Sequence, residues 1–248
     1  MTTFGGQTVP PLFGGAAEFP IQLRDVGAVT WDFSASPGPS AAILPTRQAG
    51  DILVVWLASI ANDPGVPTFA DAPKWNGVET SGSFGFRIYS SVADNTANDA
   101  VSTPAGGIGA GGWPRGIIMA SFKNNSGGTF SSDGTETLLA GFSSNTIFLI
   151  ASGAVAPGAD QWLRLCTAQA GDQSPTDTNP SFTKAFEKPY FEVFMEFQYD
   201  PTDDNTIFMS AGYQYLTGAA DVVPGDQLTA GLTDVYLTKA KCQFIAFN

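Results

Sequence analysis

Glu192 and Glu196 stand four residues apart on one face of the strand-like run YFEVFMEFQY, and paired carboxylates can do acid–base chemistry; a cross-strand partner for either is not named by the sequence. A glycosidase holds its two carboxyl groups about 5–10 Å apart. Four residues of extended chain at about 3.3 Å each separate the two backbones by some 13 Å. The two glutamates therefore make a poor pair by themselves and read as the solvated face of a strand. The acidic turns form a second group: Asp200, Asp203, Asp204 and Asn205, and Asp172 with Asp177. Asp and Asn oxygens at such spacing can ligate calcium. The same residues are ordinary turn formers, because their side chains bond nearby backbone N–H groups. The third group is aromatic. Trp75, Trp113 and Trp162 lie in or beside loop-like stretches. Planar rings there stack on sugars or anchor a protein interface. Trp113, in GGWPRG, is expected to be the most exposed of them.

Other chemistries are closed off. The chain has no histidine, which excludes Ser-His-Asp and Cys-His arrangements. Two separated cysteines without histidine cannot close a zinc site of the usual His/Cys type. The glycine run at 106–112 is not followed by the Lys-Ser/Thr pair and helix of a phosphate loop. No catalytic, cofactor-binding or metal-ligating residue is assigned, and the expectation is a protein that is not an enzyme. Cys166 and Cys242 each stand in a strand-like run and read as buried free thiols that act as small apolar residues. A single disulfide between them stays open, because the sequence does not give their separation in space.

The net charge is −12, and the 11 basic residues are scattered singly. Nucleic-acid binding needs clustered Lys and Arg to displace counterions from phosphates, so nucleic acid is not an expected partner. Anionic membrane surfaces are disfavoured for the same reason. No apolar run reaches the roughly 20 residues of a membrane-spanning helix, and membrane insertion is not expected. The opening MTTFGGQTVPPLFGG has neither a basic segment nor an apolar core, so no secretory signal is expected.

The elements that must position these groups are strands. The 28 glycines and 17 prolines work against helices, since each costs about 1 or 3 kcal/mol respectively in a helix interior. Strand patterns fall at VTWDFSAS (29–36), GDILVVWLAS (50–59), FGFRIYSSV (84–92) and RGIIMASF (115–122). GDILVVWLAS is almost wholly apolar and should be central in a sheet, covered on both faces. In FGFRIYSSV, Ile88 and Val92 fall on one face and Arg87 and Tyr89 on the other. NTIFLIASGAV and QWLRLCTAQA read as a hairpin joined by APGAD. YFEVFMEFQY places Phe191, Val193 and Met195 on one face, and Glu192 and Glu196 on the other with Phe194, which is then expected to be exposed. TIFMSAGYQYL and TDVYLTKAKCQFIAFN complete the set. The expected fold is all-β, an antiparallel β-sandwich of jelly-roll type with about nine to twelve strands and almost no helix. Residues 1–20 read as an extended arm whose Phe4, Leu12, Phe13 and Phe19 are candidate assembly anchors. Residues 21–248 form the sandwich domain, with a subdivision near 125–145 as the fallback.

The succession AGDILVVWLAS, WNG, FRIYSSVADNTANDAVS and RGIIMASFKN resembles a set of tailed-bacteriophage structural proteins. The matching positions are Gly50, Asp51, Tyr89, Val92, Ala93, Asp94 and Ser121 to Asn124, within roughly residues 30–125. The chain departs in carrying Asn95 where that set usually has glycine. The resemblance implies a β-sandwich at the surface of a virion: a head decoration or spike, or a tail or baseplate component that attaches to a host. It implies other virion proteins as partners, a homo-oligomer with a trimer favoured, assembly in the host cytoplasm, and a host glycan as a ligand in the attachment case. The alternative drawn from the tryptophans is a carbohydrate-binding module.

Overall fold

The computed structural model describes residues 21–32, 39–59, 65–79, 86–104, 115–125, 130–133, 139–141, 147–149, 161–172, 182–185, 191–200, 205–216, 227–230 and 235–247. The architecture is all-β and antiparallel, with two 3-10 turns, Ala72–Lys74 and Ala97–Asp99, as the helical content among the described residues.

The first sheet is built from β1 (Ile21–Val26), β2 (Thr30–Asp32), β3 (Ile52–Ser59), β5 (Asn76–Glu79), β6 (Phe86–Val92) and β8 (Arg115–Asn124). Its order is β1-β8-β3-β6-β5, with β2 continuing the edge along β8. The central place of β3 explains its unbroken apolar run. Ile52, Val54, Trp56 and Ala58 enter one buried cluster, while Leu53, Val55 and Leu57 enter another on the opposite face. β6 alternates as expected, with Ile88 in the first cluster and Tyr89 in the second.

The second face is covered by the chain around Ala42 and Leu44 and by Phe69, Trp75 and Val101. Phe69 and Val101 belong to a two-stranded pair, β4 (Thr68–Phe69) with β7 (Val101–Ser102). Gly27 makes this covering layer possible. Its N–H donates to the Met119 carbonyl at 2.8 Å, and a Cβ there would stand 2.0 Å from the Ile43 carbonyl oxygen. Glycine alone allows that crossing.

The second sheet holds β9 (Phe130–Asp133), β10 (Leu139–Gly141), β12 (Gln161–Asp172), β14 (Phe191–Asp200), β15 (Asn205–Leu216) and β17 (Val235–Phe247). Its order is β10-β17-β12-β15-β14, with β9 also on β17. A small third sheet has the order β11-β16-β13, from Ile147–Leu149, Gln227–Ala230 and Phe182–Ala185. The described residues thus hold seventeen strands rather than about nine to twelve, and the surplus lies in pieces of two to four residues too short to show a period. The hairpin expected between NTIFLIASGAV and QWLRLCTAQA is not formed among the described residues: β11 pairs with β16, whereas β12 pairs with β15 and β17.

The two large sheets share the first cluster. Val193, Phe194, Ala211 and Tyr213 of the second pack with Ile21, Trp56 and Phe122 of the first. Phe194 meets Trp56 edge-on at 5.2 Å between ring centroids, and Tyr213 meets Phe122 edge-on at 5.4 Å. Phe194 is therefore buried, against the expectation of an exposed ring. The cause is a bulge in β14: Glu192 opposes Gly212, Phe194 opposes Ala211, and Val193 between them has no opposite residue. An extra residue reverses the alternation beyond it. Val193 and Phe194 both become buried and Met195 turns outward, 42% exposed.

Candidate functional site

The same bulge dissolves the carboxylate pair. Gly212 opposes Glu192 and Met209 opposes Glu196; these partners are three residues apart on β15, so the two glutamates fall on opposite faces of the sheet. Burial pushes the Glu196 carboxyl up from its ordinary value. A raised folded pKa means stability that is complete below the ordinary glutamate range and is lost as pH rises through the folded pKa. Glu196→Gln is accordingly expected to stabilise the protein modestly near neutral pH. The gain should vanish near pH 4. Thermal unfolding of both proteins at the two pH values checks this, and an equal gain at both would show that ionisation is not the cause.

Polar side chains converge instead at the end of the first sheet where β3 begins and β6 ends. Gly50 adopts a left-handed φ of +90°, a conformation that costs glycine little. The turn closes through the Asp51 N–H to the Gln48 carbonyl at 3.1 Å. The Asp51 carboxylate accepts the Gln48 N–H at 2.7 Å. It also takes a two-pronged contact from Arg24, with Nε at 2.6 Å and Nη2 at 3.0 Å. Arg24 sits at a bulge in β1, between Leu23 and Asp25 in the register, which is the local irregularity that re-aims a side chain. The ladder then runs past the strand ends, because the Gly50 N–H donates to the Ala93 carbonyl at 2.9 Å and the Ala93 N–H donates to the Asp51 carbonyl at 2.8 Å.

Beyond Ala93 the chain turns on Asn95, whose φ is +60°. Asparagine tolerates this region better than most side chains. Asp94 accepts the Thr96 N–H at 2.9 Å and the Thr96 hydroxyl at 2.7 Å. Thr96 in turn caps the short Ala97–Asp99 turn by accepting the Asn98 N–H at 3.1 Å. At the centre is Asp99, fully buried. Its carboxylate accepts the backbone N–H groups of Asp94 at 3.2 Å and Asn95 at 3.0 Å, Arg47 Nε at 2.5 Å, and Lys74 Nζ. Lys74 also pairs with Asp94 at 3.5 Å. Thr46 completes the corner: its N–H donates to Asp25 at 2.6 Å and its carbonyl accepts the Ser121 hydroxyl at 2.7 Å.

This corner holds charge fixed. The Thr96 hydroxyl bond comes first among the influences that hold the Asp94 carboxyl far below the usual range; burial opposes it, and further bonds from Thr96 and Asn98 and the Lys74 charge add to it. Burial alone would raise Asp25, but bonds from Thr46 and Val26 outweigh it and lower the carboxyl. Depressed carboxyls add stability above the ordinary aspartate range and lose it as pH falls through their folded values. At the other end of the sheet, Arg115 pairs with Asp32 at 3.3 Å, buried, and donates to the Pro104 carbonyl at 3.2 Å.

Of the tryptophans, Trp75 is a correction. It is 7% exposed and stacks on Phe69 at 5.3 Å, so it packs the second cluster and offers no open face. An apolar ring beside a loop can fill the core beneath it as readily as it can meet a ligand. Trp162 occupies β12 opposite Leu216 and Ala246. Trp113, the run at 106–112, the anchors Phe4, Leu12, Phe13 and Phe19, and the turn residues Asp177, Asp203 and Asp204 lie outside the described residues. Asp172 opposes Thr206 and Asp200 opposes Asn205, which brings these positions to one end of the second sheet. No group of three metal-ligating side chains is found among the described residues.

Sequence reasoning did not single out Arg24, Arg47, Lys74 or Asp99. The available signal was the scarcity of cations: scattered basic residues in a chain of low charge content are candidates for specific ion pairs. Comparison with protein-family models, with curated proteins and with solved structures gives no match.

Proposed function

We propose that the chain is a virion structural protein of a tailed bacteriophage, displayed on head or tail and acting by packing against other virion proteins. The carrying observation is the corner itself. Of the positions that carry the resemblance, Gly50, Asp51, Ala93, Asp94 and Ser121 meet there, and each is used in a turn, an ion pair or a hydrogen bond between strands. A shared signature of this kind supports a shared scaffold, with activity residing in what the scaffold displays. In this reading the two large sheets are the layers of a sandwich, consistent with their common aromatic core. The subunits form a symmetric homo-oligomer, and residues 1–20 attach it to its neighbours. The glycan-binding alternative loses Trp75 to the core.

Deleting residues 1–20 is expected to leave the thermal unfolding transition of the remaining domain in place and to abolish incorporation into particles. Incorporation at the normal level would remove the arm from the account.

A further inference from the structure

We infer that Cys166 and Cys242 form a cross-strand disulfide pair joining the two longest neighbours of the second sheet. They are the chain's two cysteines, and the register of β12 against β17 sets them directly opposite each other. The pairing is continuous from Gln161 opposite Phe247 to Gly171 opposite Leu237, and it shifts only beyond Gly171. Directly opposed residues of an antiparallel pair share a face, and a slip of one residue would put them on opposite faces. Their Cα atoms stand about 4.5 or 5.5 Å apart, according to whether the pair is hydrogen-bonded. Both separations fall inside the roughly 4.4–6.8 Å that a disulfide spans. On its other flank Cys166 opposes Gly212, which brings no side chain to that face.

Closure proceeds by exchange with a small-molecule disulfide such as oxidised glutathione. One protein thiolate attacks it, forms a mixed disulfide and expels one reduced thiol. The second protein thiolate attacks the protein-bound sulfur, forms the Cys166–Cys242 bond and expels the other. The protein loses two electrons and two protons, and the oxidant becomes two thiols. A reducing thiol pool keeps the pair open and an oxidising medium closes it. The cross-link does not depend on the proposed function.

The test uses the full chain, incubated with oxidised glutathione, denatured in excess N-ethylmaleimide and weighed intact. The expected result is no maleimide without prior reduction and two after it, with the protein monomeric on a non-reducing gel. The thermal midpoint of the oxidised protein should exceed that of the dithiothreitol-treated protein by about 5 °C or more. A displaced variant, Cys242→Ser with Gln243→Cys, moves the thiol one residue along β17 and so to the other face; it is expected to keep two reactive thiols. Two maleimides on the oxidised natural chain, a stable glutathione adduct or a disulfide-linked dimer would overturn the inference. Equal closure of a folded displaced variant would overturn it too, because the register would then play no part.

Discussion

Asp99→Ala is expected to destabilise the protein by about 3–5 kcal/mol. For a chain of this size that lowers the thermal midpoint by roughly 6–20 °C. The reason lies in what the carboxylate leaves behind. Asp99 is fully buried and is the common acceptor for Arg47, Lys74 and the N–H groups of Asp94 and Asn95. Without it, two cations and two backbone donors lose the buried acceptor they share. Lys74 retains Asp94 at 3.5 Å, and Arg47 retains the Thr96 carbonyl at 2.9 Å. Neither contact replaces a buried carboxylate, because the first is exposed on the Asp94 side and the second is neutral. Asp99→Asn is expected to be nearly as damaging, since it turns an amide donor toward cations that need an acceptor. Calorimetry on the three proteins decides the matter. A midpoint for Asp99→Ala within a degree or two of the natural chain would mean that the corner does not clamp the fold.

Trp56→Ala is expected to cost about 3–5 kcal/mol by loss of burial and creation of a cavity. Trp56 is fully buried at the centre of β3 and meets Phe194 of the second sheet edge-on at 5.2 Å. The substitution therefore acts on the β3 core and on the contact between the large sheets together. Ile43 provides the control: it is 51% exposed, and Ile43→Ala should stay within about 0.5 kcal/mol of the natural chain. Urea unfolding of the two variants compares them directly. Similar midpoints would mean that the sheets do not depend on this aromatic contact.

The parts of the fold that were legible in the sequence are those in which burial writes a pattern on a single strand. β3 announces itself by being apolar on both faces, because it has neighbours on both sides and covering layers on both faces. β12, β15 and β17 are long enough for their runs to be read. β1 was not singled out, because IQLRDV lies at a sheet edge, is mostly half-buried, and carries Arg24 and Asp25 for the polar corner. The bulge at Val193 was not legible, since an alternating run shows where a period would place each residue and not where one is skipped. The clamp around Asp99 was hidden because its members lie far apart in the chain: Arg47, Lys74 and Asp99 are brought together only when β3, β5 and β6 are in register. The opposition of Cys166 and Cys242 was hidden for the same reason, being a property of pairing and not of either strand alone.

Immunogold electron microscopy on purified particles from a producing lysate puts the virion reading at risk in a single step. The expected result is label on the particle: on capsid faces or vertices for a decoration or spike, at the tail tip for a host-contact component. Particles without label, with the protein left free in the lysate, would contradict it.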